Sequence, residues 1–131
     1  MKRCVARLAA VPAALLLGLA LGVSPAYAGT TTSWAVLYDG VYKSGGGKFY
    51  HDGDILRACD DQANGKGVWA GLYHYETSAA FSSIYNGSGA GACASKTIDL
   101  VEGTNVYVLV CDAVDGKADW SRCARSSTGQ A

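Results

Sequence analysis

Four cysteines that follow an export signal constrain this fold more than any other feature of the sequence. Residues 1–28 begin with a basic head, continue through a long apolar run and end in small residues. That order is typical of a secretory signal peptide, here with cleavage expected between Ala28 and Gly29. The sequence therefore predicts a secreted domain of residues 29–131, in an extracellular compartment where disulfides persist.

Removal of the signal peptide changes the charge of the chain. The three basic residues of the segment 1–28 leave with it, and eight basic residues remain against eleven acidic ones, a net charge of −3. The mature chain has no second apolar run near the roughly 20 residues that would cross a bilayer. An acidic domain with scattered lysines is poorly suited to nucleic acid or to an anionic membrane. We expect a freely secreted monomer that binds neither.

Short apolar runs separated by turn residues indicate an all-β fold. Helical spacing is absent from the mature chain, apart from a single turn near residues 79–84. The sequence predicts one small antiparallel β-sandwich of about six to eight short strands, with Greek-key or immunoglobulin-like connections. The two ends of this domain, residues 29–33 and 126–131, are expected to be loose.

Two further segments are predicted to be loops. Residues 43–48 contain three consecutive glycines, which indicate a flexible connection between strands. Residues 77–94 are mostly small and polar, and they include Asn86-Gly87-Ser88, a glycosylation sequon in hosts that modify such sites. Rigid frames commonly carry function on their loops, so both segments are candidates for contact with a partner.

The four mature cysteines are Cys59, Cys93, Cys111 and Cys123, and three pairings are open to them. Cys111 and Cys123 lie on what should be consecutive strands with a short connection, which favours a bridge between them. Cys59 and Cys93 are then left to each other, and their bridge would tie the segment 77–94 to an earlier strand. The two closures are expected to contribute about 3 and about 4 kcal/mol of stability.

A different pairing would imitate an immunoglobulin domain. Cys59, Trp69 and Cys111 have the order found there, with the two cysteines bridged between sheets. The tyrosine expected two residues before the second cysteine is missing, because Leu109 stands in its place. The pattern also leaves two cysteines unexplained, so the sequence favours a generic sandwich.

The strand predicted at residues 68–76 carries the candidate binding residues. Its side chains alternate between an aliphatic face and a face of three aromatic residues around a glycine, namely Trp69, Tyr73 and Tyr75 with Gly71. If the aliphatic face is core, the aromatic face presents a platform for a sugar ring or for a partner's apolar anchor. The alternative is that the aromatic face is itself core, or is covered by the segment 81–85.

The sequence contains no evident catalytic set. No serine has the Gly-x-Ser-x-Gly context, and the mature cysteines are expected to be oxidised. The segment 51–54 could suggest a metal site, and residues 60–65 resemble the start of a calcium loop. The segment 51–54 is interpreted as a solvated turn whose Asp and Gly residues shape the backbone. The calcium-loop signal is weak, since Gly71 stands where the loop needs a glutamate and the segment runs straight into a strand. We expect no catalytic residue, no metal and no cofactor.

Motifs within residues 54–123 resemble one group of known proteins. They are the segment 59–68, the glycine-rich segment that ends in Cys93, the segment 100–104 that leads to Cys111, and Trp120-Ser121-Arg122-Cys123. Their order resembles the small signal-bearing proteins of uncharacterised function that actinomycetes secrete. The resemblance implies a secreted β-sandwich with two disulfides, and no catalytic or ligand residue carries over from it.

The sequence thus favours a non-enzymatic secreted domain that binds an extracellular protein or a cell-wall glycan. A first alternative is a small proteinaceous inhibitor of an extracellular hydrolase, which would insert residues 44–48 or 77–91 as a loop. The lack of proline weakens this alternative, because inhibitory loops benefit from pre-organisation. A second alternative is a small hydrolase, whose acids and bases would come from His51, His74, Glu76 and Glu102.

Overall fold

The computed structural model of the protein describes residues 28–131, so the predicted signal peptide lies outside the described residues except for Ala28. Nine strands and no helix are found in this range. The strands are β1 (Ala35–Asp39), β2 (Tyr42–Tyr50), β3 (Ile55–Asp60), β4 (Gly67–His74), β5 (Ala80–Asn86), β6 (Ala92–Thr97), β7 (Asn105–Val114), β8 (Lys117–Arg125) and β9 (Gly129–Gln130).

The strands form two antiparallel sheets. A four-stranded sheet has the order β1-β2-β3-β6, and a five-stranded sheet has the order β5-β4-β7-β8 with β9 paired to the start of β7. The chain changes sheet between β3 and β4, between β5 and β6, and between β6 and β7. The prediction of a small all-β sandwich is confirmed. The described part of the chain contains no helix long and apolar enough to cross a membrane.

The core lies between the two sheets, on the inward face of each strand. Alternate positions of β2, β3, β4 and β7 supply its largest side chains, which are Phe49, Leu56, Val68, Leu72, Val106, Val108 and Val110. Every second residue of a strand points to the same side of its sheet, so this pattern leaves the intervening residues on the outer faces.

The three consecutive glycines belong to β2 and do not form a loop. A Cβ atom on Gly45 would lie 2.5 Å from Cγ2 of Val68 in the opposite sheet. A Cβ atom on Gly47 would overlap Cγ1 of Val110, also in the opposite sheet. The prediction of a flexible loop at 43–48 is therefore wrong. Gly45 and Gly47 lie where the two sheets approach closely, and only a residue without a side chain fits there.

The segment 77–94 contains two strands, so the prediction of one long loop with a helical turn is also wrong. β5 pairs with β4, and β6 pairs with β3. Each is the edge strand of its sheet, with one neighbour only. An edge strand is partly hydrated and buries few large side chains, so its apolar alternation is weak in the sequence.

Both ends of the domain are held in place. The backbone N–H groups of Thr30 and Gln130 each donate a 2.8 Å hydrogen bond to the other residue's carbonyl. Thr32 and Ala131 are buried, and Ser126 Oγ accepts a 2.9 Å hydrogen bond from the N–H of Val108. The expectation of loose ends is wrong, because the C-terminal segment pairs with the start of β7 and the N-terminal segment is hydrogen-bonded to Gln130 and Phe49.

The two disulfides each cross-link neighbouring strands. Cys59–Cys93 joins β3 to β6, and Cys111–Cys123 joins β7 to β8. In both pairs the cysteines are direct partners in the strand register, with Cα atoms 4.0 and 4.1 Å apart. This is the pairing that the predicted strand order favoured. Each bridge lies within one sheet, unlike the inter-sheet bridge of an immunoglobulin domain.

Candidate functional site

β4 places aromatic side chains on the outer surface of the five-stranded sheet. Its residues Val68, Ala70 and Leu72 are 2%, 0% and 0% exposed and belong to the core. Trp69 and Tyr73 alternate with them, so they project from the opposite side of the strand. The interpretation of this face as core is therefore wrong. It is not covered by the segment 81–85 either, because that segment lies in β5, beside β4 in the same sheet.

Neighbouring strands extend this surface beyond the residues that the sequence indicated. Tyr107 of β7 stands opposite Tyr73, and the two rings stack with centroids 5.4 Å apart and planes 13° from parallel. Trp120 of β8 meets Trp69 edge to face, with ring centroids 5.1 Å apart. We call this surface the aromatic face, and its members are Trp69, Tyr73, Tyr85, Tyr107, Trp120 and Arg125.

Gly71 leaves the centre of the aromatic face without a side chain of its own, so neighbouring rings can cover it. A Cβ atom on Gly71 would lie 2.5 Å from Cη2 of Trp69 and 2.7 Å from Cε2 of Tyr73, so both rings lean over the glycine from opposite sides. Tyr85, which stands opposite Trp69 in β5, leans in the same way over Gly67. The rings therefore lie along the sheet, and the surface is a shallow aromatic floor.

Arg125 brings a positive charge to the aromatic face. Its guanidinium lies 3.6 Å from the ring centroid of Tyr107 and 5.4 Å from that of Tyr75. Within residues 28–131, no carboxylate lies within ion-pair distance of Arg125. A guanidinium stacked in this way keeps its N–H groups available at its edge for hydrogen bonds.

Exposure varies across the surface. Trp120 is 63% exposed, whereas Trp69 and Tyr73 are half-buried by their neighbours. Tyr75 lies just beyond the end of β4, beside the aromatic face, and is 46% exposed. Burial raises the pKa of the Tyr73 phenol above its usual value, and the adjacent Tyr107 adds to the rise. Tyr73 therefore keeps its proton, and with it a hydrogen-bond donor, throughout the physiological range.

The Cys111–Cys123 disulfide lies under one end of the aromatic face. Cys111 is the register partner of Trp69 and is fully buried. The connection between β7 and β8 is the two-residue turn Asp115-Gly116, with φ of 50° and 76°. Positive φ at both positions is typical of a type I′ hairpin. Turn and disulfide together fix β8 against β7 and so hold Trp120 beside Trp69.

Three of the remaining candidates from the sequence, His51, His74 and Glu76, have local partners, and Glu102 lies in the exposed turn before β7. His51 contacts Thr31 Oγ1 at 2.8 Å. His74 Nδ1 lies 3.0 Å from Glu76 Oε2, and the other carboxylate oxygen of Glu76 accepts a 2.8 Å hydrogen bond from Asn105. That hydrogen bond is the main reason why the pKa of Glu76 is lowered. Within the described residues, no group of three or more metal-binding side chains is placed to hold an ion.

Asn86 of the sequon is an internal structural residue. It is buried, and its Nδ2 donates hydrogen bonds to the carbonyls of Ala58 at 3.3 Å and Ala92 at 2.6 Å. The amide thereby joins β5 to two strands of the other sheet. A glycan on this nitrogen is incompatible with the folded arrangement.

Four members of the aromatic face were missed by sequence reasoning: Tyr85, Tyr107, Trp120 and Arg125. Val106, Val108 and Val110 alternate with Tyr107 in β7, so alternation within that strand could have placed Tyr107 on an outer face. Trp120 could not be found in this way. The register between β7 and β8 is irregular from Cys111 to Ala113, so alternation counted back from Cys123 fails.

Comparison with models of known protein families, with curated proteins and with solved structures finds no match for this chain. The fold and its surface define a disulfide-bonded all-β domain that carries an aromatic outer face. The two disulfides and the all-β fold agree with what the resemblance to secreted actinomycete proteins implied.

Proposed function

We propose that this protein is exported, cleaved after Ala28, and acts outside the cell as a non-enzymatic domain that binds a glycan through its aromatic face. Two intramolecular disulfides support an extracellular location, because such bridges persist in oxidising compartments. The predicted signal peptide and the resemblance to actinomycete proteins support export by a bacterium of that group. The domain acts as a monomer in this proposal.

The aromatic face is the single observation that carries the proposal. A sugar ring has an apolar face of C–H groups and a rim of hydroxyls, and aromatic side chains offer an apolar body for the first. The Arg125 guanidinium and the Tyr73 hydroxyl offer hydrogen bonds for the second. Trp69 and Tyr73 are four residues apart in β4, and their rings lean over Gly71 to form one continuous floor. An open, continuous floor suits an extended polymer better than a small molecule, which needs an enclosing pocket.

The inhibitor alternative depended on two protruding loops. Residues 44–48 lie within β2, and β5 occupies the middle of residues 77–91, so neither segment is a single protruding loop. An inhibitory loop must stand out from its scaffold to enter a cleft. The glycan proposal needs no such loop, because its contact surface is the sheet itself.

Binding to neutral glycans tests the proposal. The secreted protein is titrated with chitohexaose and cellohexaose and screened on an array of bacterial wall glycans. The variants Trp69→Ala and Trp120→Ala are expected to lower the affinity by about tenfold or more, the effect of losing an aromatic anchor that the ligand covers on binding. Tyr42→Ala is the matched control, since Tyr42 is an exposed aromatic residue of the other sheet.

Circular dichroism and thermal melting of each variant separate loss of binding from loss of folding. An absence of glycan binding, or equal losses for Trp69→Ala and Tyr42→Ala, would contradict the proposal. Capture of a protein ligand that depends on Trp69 and Trp120 would assign the aromatic face to protein recognition instead.

A further inference from the structure

The outer face of the four-stranded sheet gathers three of the eight basic residues of the mature chain. Lys48 of β2 and Arg57 of β3 are direct register partners. Lys43 of β2 lies near them on the same side, and its ammonium is 5.4 Å from the ring centroid of Trp34. The sequence predicted scattered lysines, whereas the fold brings these cations together on one surface.

A bulge in β2 puts Lys43 on this surface. Leu37 pairs with Gly45 and Tyr38 pairs with Lys43, so Ser44 is an extra residue in β2. Lys43 and Lys48 are five residues apart, and in a regular strand an odd separation would place them on opposite sides. The extra residue restores the alternation, so both lysines project outward.

Aromatic rings lie among the cations. The ammonium of Lys48 is 5.9 Å from the ring centroid of Trp34 and 5.1 Å from that of Tyr50. The guanidinium of Arg57 is 5.6 Å from the same Tyr50 ring. We call this surface the basic face, and its members are Trp34, Lys43, Lys48, Tyr50 and Arg57.

The positive charge of the basic face is incompletely neutralised. Lys43 pairs with Asp61 at 2.9 Å, and Arg57 donates to Ser95 Oγ at 3.1 Å. Within residues 28–131, no carboxylate lies within ion-pair distance of Lys48 or Arg57. Like charges that stand directly opposite each other on neighbouring strands are destabilising. An anion bound between Lys48 and Arg57 would relieve that repulsion.

We propose that the basic face binds a linear carboxylated polysaccharide. The cations pair with its carboxylates, and the exposed parts of the Trp34 and Tyr50 rings contact its sugar rings. The ammonium groups of Lys43 and Lys48 lie 5.4 and 5.9 Å from the Trp34 ring centroid, so aromatic surface lies among the cations just as sugar rings lie between the carboxylates of such a polymer. A dense polyanion such as polyphosphate or nucleic acid would leave most of its charge unpaired here and would be repelled by the acidic remainder of the domain.

A shallow cavity of about 210 Å³ lies at one end of the basic face, and Tyr50, Ile55 and Arg57 form part of its lining. Asp52 also lines it. The Asp52 carboxylate opposes an anion at this end, so the variant Asp52→Asn should bind an anionic polymer more tightly than the native protein.

The test uses polygalacturonate as the probe at low ionic strength. Lys48→Gln and Arg57→Gln are each expected to weaken binding by about fivefold, the effect of losing one charge-assisted contact. Lys117→Gln is the matched control, because Lys117 is exposed in the β7–β8 hairpin of the other sheet, and its effect should stay within about twofold. Asp52→Asn should strengthen binding.

Thermal melting separates a binding role from a structural one. Lys48→Gln removes one of two opposed like charges and also two contacts with aromatic rings, so its melting temperature should stay close to that of the native protein while its binding weakens. Equal losses for Lys48→Gln and Lys117→Gln, or no binding to polygalacturonate, would overturn the proposal. Tighter binding to polyphosphate or to duplex DNA would overturn it as well. Trp69→Ala should leave this affinity unchanged, so the inference stands or falls independently of glycan binding at the aromatic face.

Discussion

Nε of Arg122 lies 2.6 Å from Oδ2 of Asp112, and this ion pair joins the neighbouring strands β8 and β7. The Asp112 side chain is only 6% exposed. Arg122 also donates to the carbonyl of Tyr38 in the opposite sheet at 3.2 Å. Lys66 approaches the same carboxylate at 3.6 Å. The guanidinium thus links β8 to β1 as well as neutralising a buried charge.

Arg122→Gln is therefore expected to destabilise the domain by about 3 kcal/mol, because it leaves a buried carboxylate with Lys66 as its remaining cation. Urea denaturation of the native protein and the variant measures the difference. The double variant Asp112→Asn/Arg122→Gln should recover part of the loss, since the carboxylate that Arg122 neutralises is then absent. A change below about 0.5 kcal/mol for Arg122→Gln, the range of ordinary surface substitutions, would contradict the role given to this pair.

Gly47→Ala is expected to destabilise the domain by about 2–3 kcal/mol, because the added methyl group overlaps Val110 of the opposite sheet and crowds Ala70. Gly65→Ala is the control. Gly65 has open space around its Cβ position and a φ of 74°, so only backbone strain of about 1 kcal/mol is expected there. If the two variants lose equal stability in urea denaturation, close packing of the sheets is not the reason for the glycines in β2.

The two disulfides should have different effects on binding. Removing Cys59–Cys93, which closes 34 residues, is expected to cost about 4 kcal/mol, and removing Cys111–Cys123, which closes 12, about 3 kcal/mol. The second removal should also weaken glycan binding, because this bridge fixes β8, which carries Trp120. Each pair is replaced by alanines, and stability and chitohexaose affinity are measured in parallel. A larger loss of affinity in the variant without Cys59–Cys93 would contradict this assignment.

Asp60 makes stability depend on pH. Burial, the largest cause, raises the pKa of its carboxyl; a hydrogen bond from the N–H of Gln62 opposes the rise, and the nearby Asp61 and Asp112 add to it. A group with a raised pKa in the folded state favours its protonated form there. Its contribution to stability is therefore full below the unfolded value, near 3.8, and is lost as pH rises through the folded value.

Asp60→Asn removes the free-energy cost of ionising a buried carboxyl. The asparagine retains an oxygen that can accept the hydrogen bond from Gln62 N, which is 3.1 Å long in the native protein. The variant should gain melting temperature over the native protein at pH 7, and gain less at pH 3. Asp99→Asn, at an exposed position, is the control for the change in net charge. A gain at pH 3 that equals or exceeds the gain at pH 7 would refute the role of Asp60.

The parts of the fold that sequence reasoning found are those with strong local signals. β4 and β7 are central strands with large apolar residues at alternate positions, and a short connection joins β7 to its hairpin neighbour β8. Such features determine local structure from a few residues, and they were sufficient to favour the Cys111–Cys123 bridge.

The parts that it missed depend on contacts between distant segments. The glycines of β2 are understood only when Val68 and Val110 are seen across the core, and the edge strands β5 and β6 only when their partners are known. The same holds for the site. Trp69 and Tyr73 could be proposed from one strand, whereas Trp120 joins them through an irregular register that alternation cannot reveal.

The side-chain N–H signals of the three tryptophans give the most direct test of the central claim, that the aromatic face is the glycan-binding surface. Trp69 and Trp120 lie on that face and Trp34 lies on the opposite sheet, so Trp34 is an internal control. An NMR titration of the folded protein with chitohexaose should shift the signals of Trp69 and Trp120 and leave that of Trp34 in place. Saturable binding that shifts only Trp34, or that leaves Trp69 and Trp120 unmoved, would contradict the account.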